Sequence, residues 1–229
     1  MAEQQQITKN SNGTFFEREK FYNPVPENGD IMLDEFLAKT AVITGVFESF
    51  GKTFSPVQSD MDNNIKKIRA AMVSPNGVTY KTIQELIEDE VARNVYKSGD
   101  SGTVAGVWLG RGLKFMYLFF EQLVKAYREG NTTESNTGFV SAAYDGSLKK
   151  HHNFISKGVF KVVVHASPNR SVLCKRLMKP CPELENMDIQ EIIRVVIDDM
   201  ESYLVNLKAT TDTWNRQCME VLEDKYDKL

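Results

Sequence analysis

Ser55-Pro56-Val57-Gln58-Ser59-Asp60-Met61-Asp62-Asn63-Asn64-Ile65-Lys66-Lys67-Ile68 reads as one amphipathic helix. Ser55 suits an N-cap, and Pro56 suits the first helical position, where its missing N–H costs nothing. Val57, Met61, Ile65, Ile68 and Met72 recur at helical spacing and form the apolar stripe. Pro75-Asn76-Gly77 ends the element. Asp60, Asn64 and Lys67 stand at i, i+4 and i+7, so they fall within about 60° of one another around the axis. Their centre lies about 90° from that of the stripe. They therefore line the edge of the buried side, where a polar site is open to water yet backed by core.

The same period continues on both sides. A preceding helix spans about Ile31 to Phe50, with Asp30 as cap and Leu33, Phe36, Leu37, Ile43, Phe47 and Phe50 inward. A following one runs from Thr79 to about Tyr96. A strongly apolar one runs from about Gly102 to Arg128, carrying Val104, Val107, Trp108, Leu109, Phe115, Leu118, Phe119 and Leu123. The stretch from Gly138 to Ser167 is one helix or two, closed by Pro168. Asp188 with Glu191 makes a capping box for a helix to Leu207, and a last helix spans about Ala209 to Lys225. No strand alternation and no internal repeat is found. The expected fold is all-α, about eight helices in a single domain of two stacked layers over residues 28–229.

Residues 1–27 form an extension, polar at first, then carrying Phe15, Phe16 and Phe21 and ending in Asn23-Pro24-Val25-Pro26. Prolines without helical period predict an extended arm laid on the surface. Phe15-Phe16-Glu17 faintly resembles acidic double-Phe motifs that bind endoplasmic-reticulum receptors. An arm pinned by its aromatics is the favoured account.

Composition narrows the function classes. The 229 residues are 41% hydrophobic and 26% charged, with net charge −3, so a folded core is expected and nucleic-acid binding is not. No run of about 18 uncharged apolar residues predicts a membrane span. The N-terminal residues lack a secretory signal's apolar core. Cys174, Cys181 and Cys218 are odd in number and lack CxxC spacing, which fits a reducing, cytoplasmic setting without a disulfide framework or zinc site. Asn12-Gly13-Thr14 and Asn131-Thr132-Thr133 match the N-glycosylation pattern by chance. There is no GxSxG, no HExxH and no phosphate-cradling glycine loop. His151 and His152 are neighbours, pointing about 100° apart on a helix, unsuited to chelating one metal. No cofactor and no enzymatic activity are expected.

Three polar groups remain to be explained. Asp60, Asn64 and Lys67 offer an anion, an amide and a cation, the mixture that sugar hydroxyls need because each both donates and accepts. Spacing alone favours a plainer account, a solvated face with an Asp–Lys attraction. Trp108 presents a flat ring that can stack on a pyranose, with Arg111 and Phe115 on the same side. Alone, it reads more simply as a core indole beside a snorkelling Arg. Lys149-Lys150-His151-His152-Asn153-Phe154 is a polar cluster inside an apolar helix, where a histidine could donate to a carbonyl at the lip of a cavity. His165 and Trp214 read as packing residues.

Taken together and in order, three of these segments resemble the glycolipid transfer protein family. They are Ser55–Ile68, Val107-Trp108-Leu109-Gly110-Arg111-Gly112-Leu113-Lys114-Phe115, and Leu148–Phe154 followed by Phe160. The likeness extends from about Pro24 to the C-terminus. It implies a non-enzymatic carrier whose two helical layers part to admit lipid chains. The ligand class would be glycosphingolipids such as galactosylceramide, glucosylceramide or lactosylceramide, met in transient contact with a membrane surface; a monomer is expected, because a carrier must present its portal to a bilayer. By the resemblance, Asp60, Asn64 and Lys67 bind the first sugar, Trp108 is its stacking platform, His152 holds the ceramide amide carbonyl, and Tyr226 closes over the sugar. Phe47, Val104, Phe115 and Phe160 would line the chain chamber. Phe154 stands where a membrane-touching tryptophan is usual and lacks the indole N–H that anchors at headgroup level. His165 stands where an aromatic near the sugar is usual.

The rivals are a carrier of ceramide-1-phosphate or sulfated sphingolipids and a glycolipid sensor without net transport. A phosphate site calls for several cations. Asn64 in place of lysine and Trp108 in place of arginine favour a neutral sugar. Hydrolysis would need two carboxylates across the sugar bond, and Asp60 and Asp62 diverge on one helix.

Overall fold

The computed structural model describes residues 13–17 and 21–229. Eight α-helices make the fold, and no strand is present among the described residues beyond two isolated bridges, Thr14 with Met178 and Val73 with Thr79. The helices are α1 Leu33–Thr44, α2 Ser55–Ala71, α3 Ile83–Ala92, α4 Gly102–Arg128, α5 Thr137–Asp145, α6 Phe154–His165, α7 Arg170–Leu177 and α8 Ile189–Leu222.

α4 is the common member of both layers. α2, with α1 beside it, packs on one side; α8, with α3 and α7, packs on the other; α5 lies on α4 and carries α6. Glycines let the backbones approach. A Cβ on Gly110 would lie 2.7 Å from Trp214 Cδ1, and one on Gly106 2.9 Å from Ile83 Cδ1. Through this close contact Trp214 Nε1 donates to Gly106 O at 2.9 Å and Asn215 Nδ2 to Gly110 O at 3.1 Å. Trp214 is fully buried and stacked on Phe36, with ring centres 3.8 Å apart.

The α2–α4 register follows from the same contacts. A Cβ on Gly112 would sit 3.4 Å from Met61 Sδ, and one on Gly102 2.8 Å from the Ala71 Cβ. The two helices therefore run antiparallel, and interpolation sets Trp108 level with Ile65, between Asn64 and Lys67. The start of α4 is held by a buried carboxylate from α3. Glu90 accepts the N–H groups of Gly102 and Thr103 at 2.9 Å each, while Ser101 Oγ accepts that of Val104. Together they satisfy donors that a helix N-terminus leaves without intrahelical partners.

Several boundaries differ from the sequence expectations. The first helix changes at Gly45 into a 3-10 segment, Gly45–Phe50, and its cap position is Met32 rather than Asp30. Ser55 is the first residue of α2 instead of its cap, and Phe54 precedes it with no side-chain bond. α3 begins at Ile83, behind a reciprocal capping box of Thr82 and Glu85. The segment from Gly138 divides into α5 and α6, so Lys149–Asn153 lie in the intervening turn and not inside a helix; Asn153 caps α6. α7 is an element that no apolar stripe announced. The two C-terminal helices are one, α8, of 34 residues. Asp188 caps it as expected, accepting from Gln190 N and Glu191 N, but Glu191 turns to Arg194 instead of completing a box.

The N-terminal extension is partly core. Phe16 and Tyr22 are 2% and 3% exposed. Phe16 packs against Phe120 and Tyr203, and Tyr22 OH shares a hydrogen bond with Thr40 Oγ1 at 2.9 Å. Thr14 Oγ1 donates to Asp199 on α8. A receptor reading a double-Phe motif needs these rings outside, so the inward Phe16 favours the pinned-arm account. The rest of the extension, residues 1–12 and 18–20, lies outside the described residues.

Candidate functional site

Asp60, Asn64 and Lys67 emerge on one face of α2, beside α4. Asn64 is buried, and its Nδ2 donates to Asp60 Oδ2 at 3.3 Å. Asp60 is open to solvent, yet enough protein surrounds its carboxyl that partial desolvation raises its pKa, against the opposing pull of Lys67 and the Asn64 bond. Lys67 does not turn to Asp60. Its Nζ donates to Gly99 O at 2.6 Å and lies 3.6 Å from Asp100 Oδ1, in the loop that leads into α4.

Trp108 is half-buried on α4, one turn before Gly112, which meets Met61 of α2. The His152 ring lies 5.6 Å away and nearly parallel, and His151 meets the indole edge-on at 6.3 Å. The Arg111 guanidinium is 5.0 Å from the indole centre and 5.1 Å from the Tyr226 ring, and its Nη2 donates to Tyr226 O at 3.0 Å. Arg111 is 3% exposed, with Nε and Nη1 left unpaired. Tyr226, expected to close over a sugar, is instead buried against this group, its hydroxyl bonded to Asn215 Oδ1 at 3.2 Å. It buttresses the platform from below.

Behind Trp108 the site becomes apolar. Tyr144 OH bonds His152 Nδ1 at 3.1 Å. Tyr144 stacks on Phe160 with centres 4.0 Å apart, and Phe160 meets Phe115 edge-on at 5.3 Å. Phe47 belongs to a neighbouring cluster with Phe50 and Phe54, joined to α4 through Phe119. Phe47, Phe115 and Phe160 are thus all buried, in two aromatic clusters of one hydrophobic core. Val104 is not with them. It is half-buried at the α4 N-terminus, about 16 Å along the axis from Phe115, nearer the polar end of the site.

Burial lowers the pKa of both turn histidines. That of His151 falls to about 4, with Arg111 and Lys150 adding to the effect; that of His152 also falls, with Lys157 as the lesser cause. Both are neutral at pH 7. When Tyr144 donates to Nδ1, Nε2 carries the proton and can donate to a ligand carbonyl. His165, read as a packing residue, is instead exposed at the end of α6. Among the described residues no three His, Cys, Asp or Glu side chains are placed to hold a metal ion.

α6 also carries an unusual outer face. Phe154 is 91% and Ile155 75% exposed, with Val159 and Val162 above half. These four fall within an arc of about 140°, opposite the buried Phe160, Val163 and Val164. Lys157 and Lys161 border the arc. No described helix is long and apolar enough to cross a membrane.

The sequence places Tyr144 beside the 149–154 cluster but gives it no bonding role, and it announces neither Asn215 and Asp100 nor the burial of Arg111. Gly110 and Gly112 on either side of Arg111 were the one available signal: small neighbours let α8 and α2 close over that segment of α4.

Known proteins share this fold and part of this sequence. A glycolipid transfer protein of Danio rerio is 29% identical over 83% of this chain and 88% of its own length. One of Aureobasidium melanogenum is 31% identical over 83% and 94%. Among solved structures, the fungal glycolipid transfer protein HET-C2 shares 27% identity and a TM-score of 0.63 over 95% of this chain and 96% of its own. The fold of FAPP2, described as selecting simple glycosphingolipids, matches with a TM-score of 0.73 at 24% identity, covering 91% and 95%. Mouse ceramide-1-phosphate transfer protein has the same fold, with a TM-score of 0.71 at 19% identity over 91% and 97%. The glycolipid transfer protein (GLTP) family profile matches residues 31–179, which include α2, Trp108, His152 and Phe160. With that match over more than half its length, the chain belongs to the glycolipid transfer protein family.

Proposed function

We propose that this protein extracts a glycosphingolipid from one membrane and delivers it to another without chemical change. The observation that carries the reading is the surroundings of Trp108: the antiparallel register of α2 and α4 sets the indole at the height of Ile65, within the span of the trio, two imidazoles border the ring, and the buried rings of Tyr144, Phe160 and Phe115 continue inward from His152. Asp60 and Asn64 supply acceptor and donor for the first sugar. With Tyr144 OH donating to His152 Nδ1, His152 Nε2 carries the proton and donates to the ceramide amide carbonyl. The chains part the layers around Phe115 and Phe160, with Phe47 deeper; each CH₂ withdrawn from the membrane needs enclosure worth about 0.8 kcal/mol.

Selectivity for sugar over phosphate follows from where the cations are. Lys67 is engaged by Gly99 O and Asp100, and Arg111 lies under Trp108 committed to Tyr226 O. Neither is arranged as an open anion cradle. The exposed face of α6, led by Phe154, is suited to transient insertion at the membrane interface, with Lys157 and Lys161 at headgroup level. The ligand class comprises galactosyl-, glucosyl- and lactosylceramide, carried by a monomer on the cytoplasmic side, where Cys174, Cys181 and Cys218 stay reduced.

Vesicle-to-vesicle transfer of fluorescent galactosylceramide tests the reading. Trp108→Ala and Asp60→Val are expected to lose about tenfold or more of the rate while retaining the helical circular-dichroism spectrum. Normal transfer by folded Trp108→Ala would remove the sugar platform from the account.

A further inference from the structure

The loop between α3 and α4 places a carboxylate where no binding role has been assigned. Ser98 N donates to Val95 O, Ser101 N to Ser98 O, and Ser101 Oγ to Tyr96 O, each at 3.0 Å. This small network holds Gly99 O on the Lys67 ammonium and leaves Asp100 beside it. The Asp100 side chain is 94% exposed, although its Oδ1 is 3.6 Å from Lys67 Nζ. One end of the sugar-binding trio thus carries an outward-facing acceptor at its rim.

We propose that Asp100 is a charge filter for the headgroup: it favours an uncharged, hydroxyl-bearing sugar beyond the first contacts and disfavours a sulfated or otherwise anionic one. The inference rests on the sugar-binding reading of Asp60, Asn64, Lys67 and Trp108. A neutral hydroxyl reaching this rim donates to Asp100 and accepts from Lys67, so both partners are used. A sulfate drawn to Lys67 meets the carboxylate that already neutralises it. Selection of this kind works through a repulsive element as much as an attractive one. Because the pair is exposed, its effect is modest and screened by salt.

The test compares transfer of sulfated galactosylceramide with transfer of galactosylceramide from the same neutral vesicles. Asp100→Asn is expected to raise the sulfated-to-neutral ratio about threefold at low ionic strength, and the gain should fade as the Debye length falls below about 8 Å. Asp100→Lys should raise the ratio further, and Asp100→Glu should keep the wild-type ratio. Thermal unfolding of each variant confirms that the loop change leaves the fold intact. An unchanged ratio in Asp100→Asn and Asp100→Lys, or an equal rise in Asp100→Glu, would overturn the charge filter. Failure of the wild type to transfer galactosylceramide at all would instead overturn the sugar-carrier reading beneath it.

Discussion

Asp60 carries a conflict between binding and stability. Desolvation raises its pKa more than Lys67 and Asn64 lower it, so ionising it costs the folded protein more than the unfolded chain. That cost is fully present above the folded pKa and disappears below the ordinary value of 3.8, where both states hold the proton. Asp60→Asn is therefore expected to raise the melting temperature at pH 7 while lowering glycolipid transfer. The melting difference should close as the pH approaches 3.8. Scanning calorimetry across that range checks it, and a lower melting temperature at pH 7 would contradict the desolvation assigned to its carboxyl. His151 behaves oppositely. Its folded pKa near 4 lies below its ordinary 6.5, so its contribution is complete above 6.5 and is lost as pH falls from there toward 4. His151→Gln should flatten the acid-induced loss of stability within that window, measured by urea unfolding at stepped pH.

At the scale of elements, α4 depends on contacts made by others. Glu90 fastens its first turn, and replacing a charged group that satisfies two buried N–H donors costs about 2–4 kcal/mol. Glu90→Ala should lose that much stability in urea unfolding, and Glu90→Gln, which keeps one acceptor, should lose less. Helix existence was legible because α1, α2 and α8 each bury one apolar stripe, while α4 is apolar nearly all round and packs on both sides. Boundaries were less so. The α5–α6 break depends on a turn at Gly146 and on Asn153 capping the next helix, and both read as interior residues when the surrounding sequence is apolar. α7 is short and mixed, since Leu173, Cys174 and Leu177 are buried while Lys175 and Arg176 face out. The placement of Asp60, Asn64 and Lys67 on one face was computable from the helical period. Their partners were not, because Gly99 and Asp100 reach Lys67 across about 32 residues of chain. Tyr226 shows the same limit: the sequence marks a C-terminal aromatic, but only packing reveals Arg111 and Asn215 as its companions.

For the whole molecule, carriage joins three surfaces: the polar rim on α2, the aromatic layers between α4 and α6, and the exposed face of α6. Phe154→Trp should strengthen association with neutral vesicles by restoring an interfacial indole, whereas Ile155→Asp should weaken it, both read by vesicle co-sedimentation. Headgroup selection should be unchanged in either, because Phe154 and Ile155 lie on the exposed face of α6, opposite the buried Phe160. The central claim is that the headgroup recognised is an uncharged sugar. It is tested most directly by native mass spectrometry of the protein after exposure to vesicles holding equal amounts of galactosylceramide, ceramide, ceramide-1-phosphate and phosphatidylcholine. The account predicts a one-to-one complex with the mass of galactosylceramide. A dominant complex with ceramide-1-phosphate or phosphatidylcholine would contradict it.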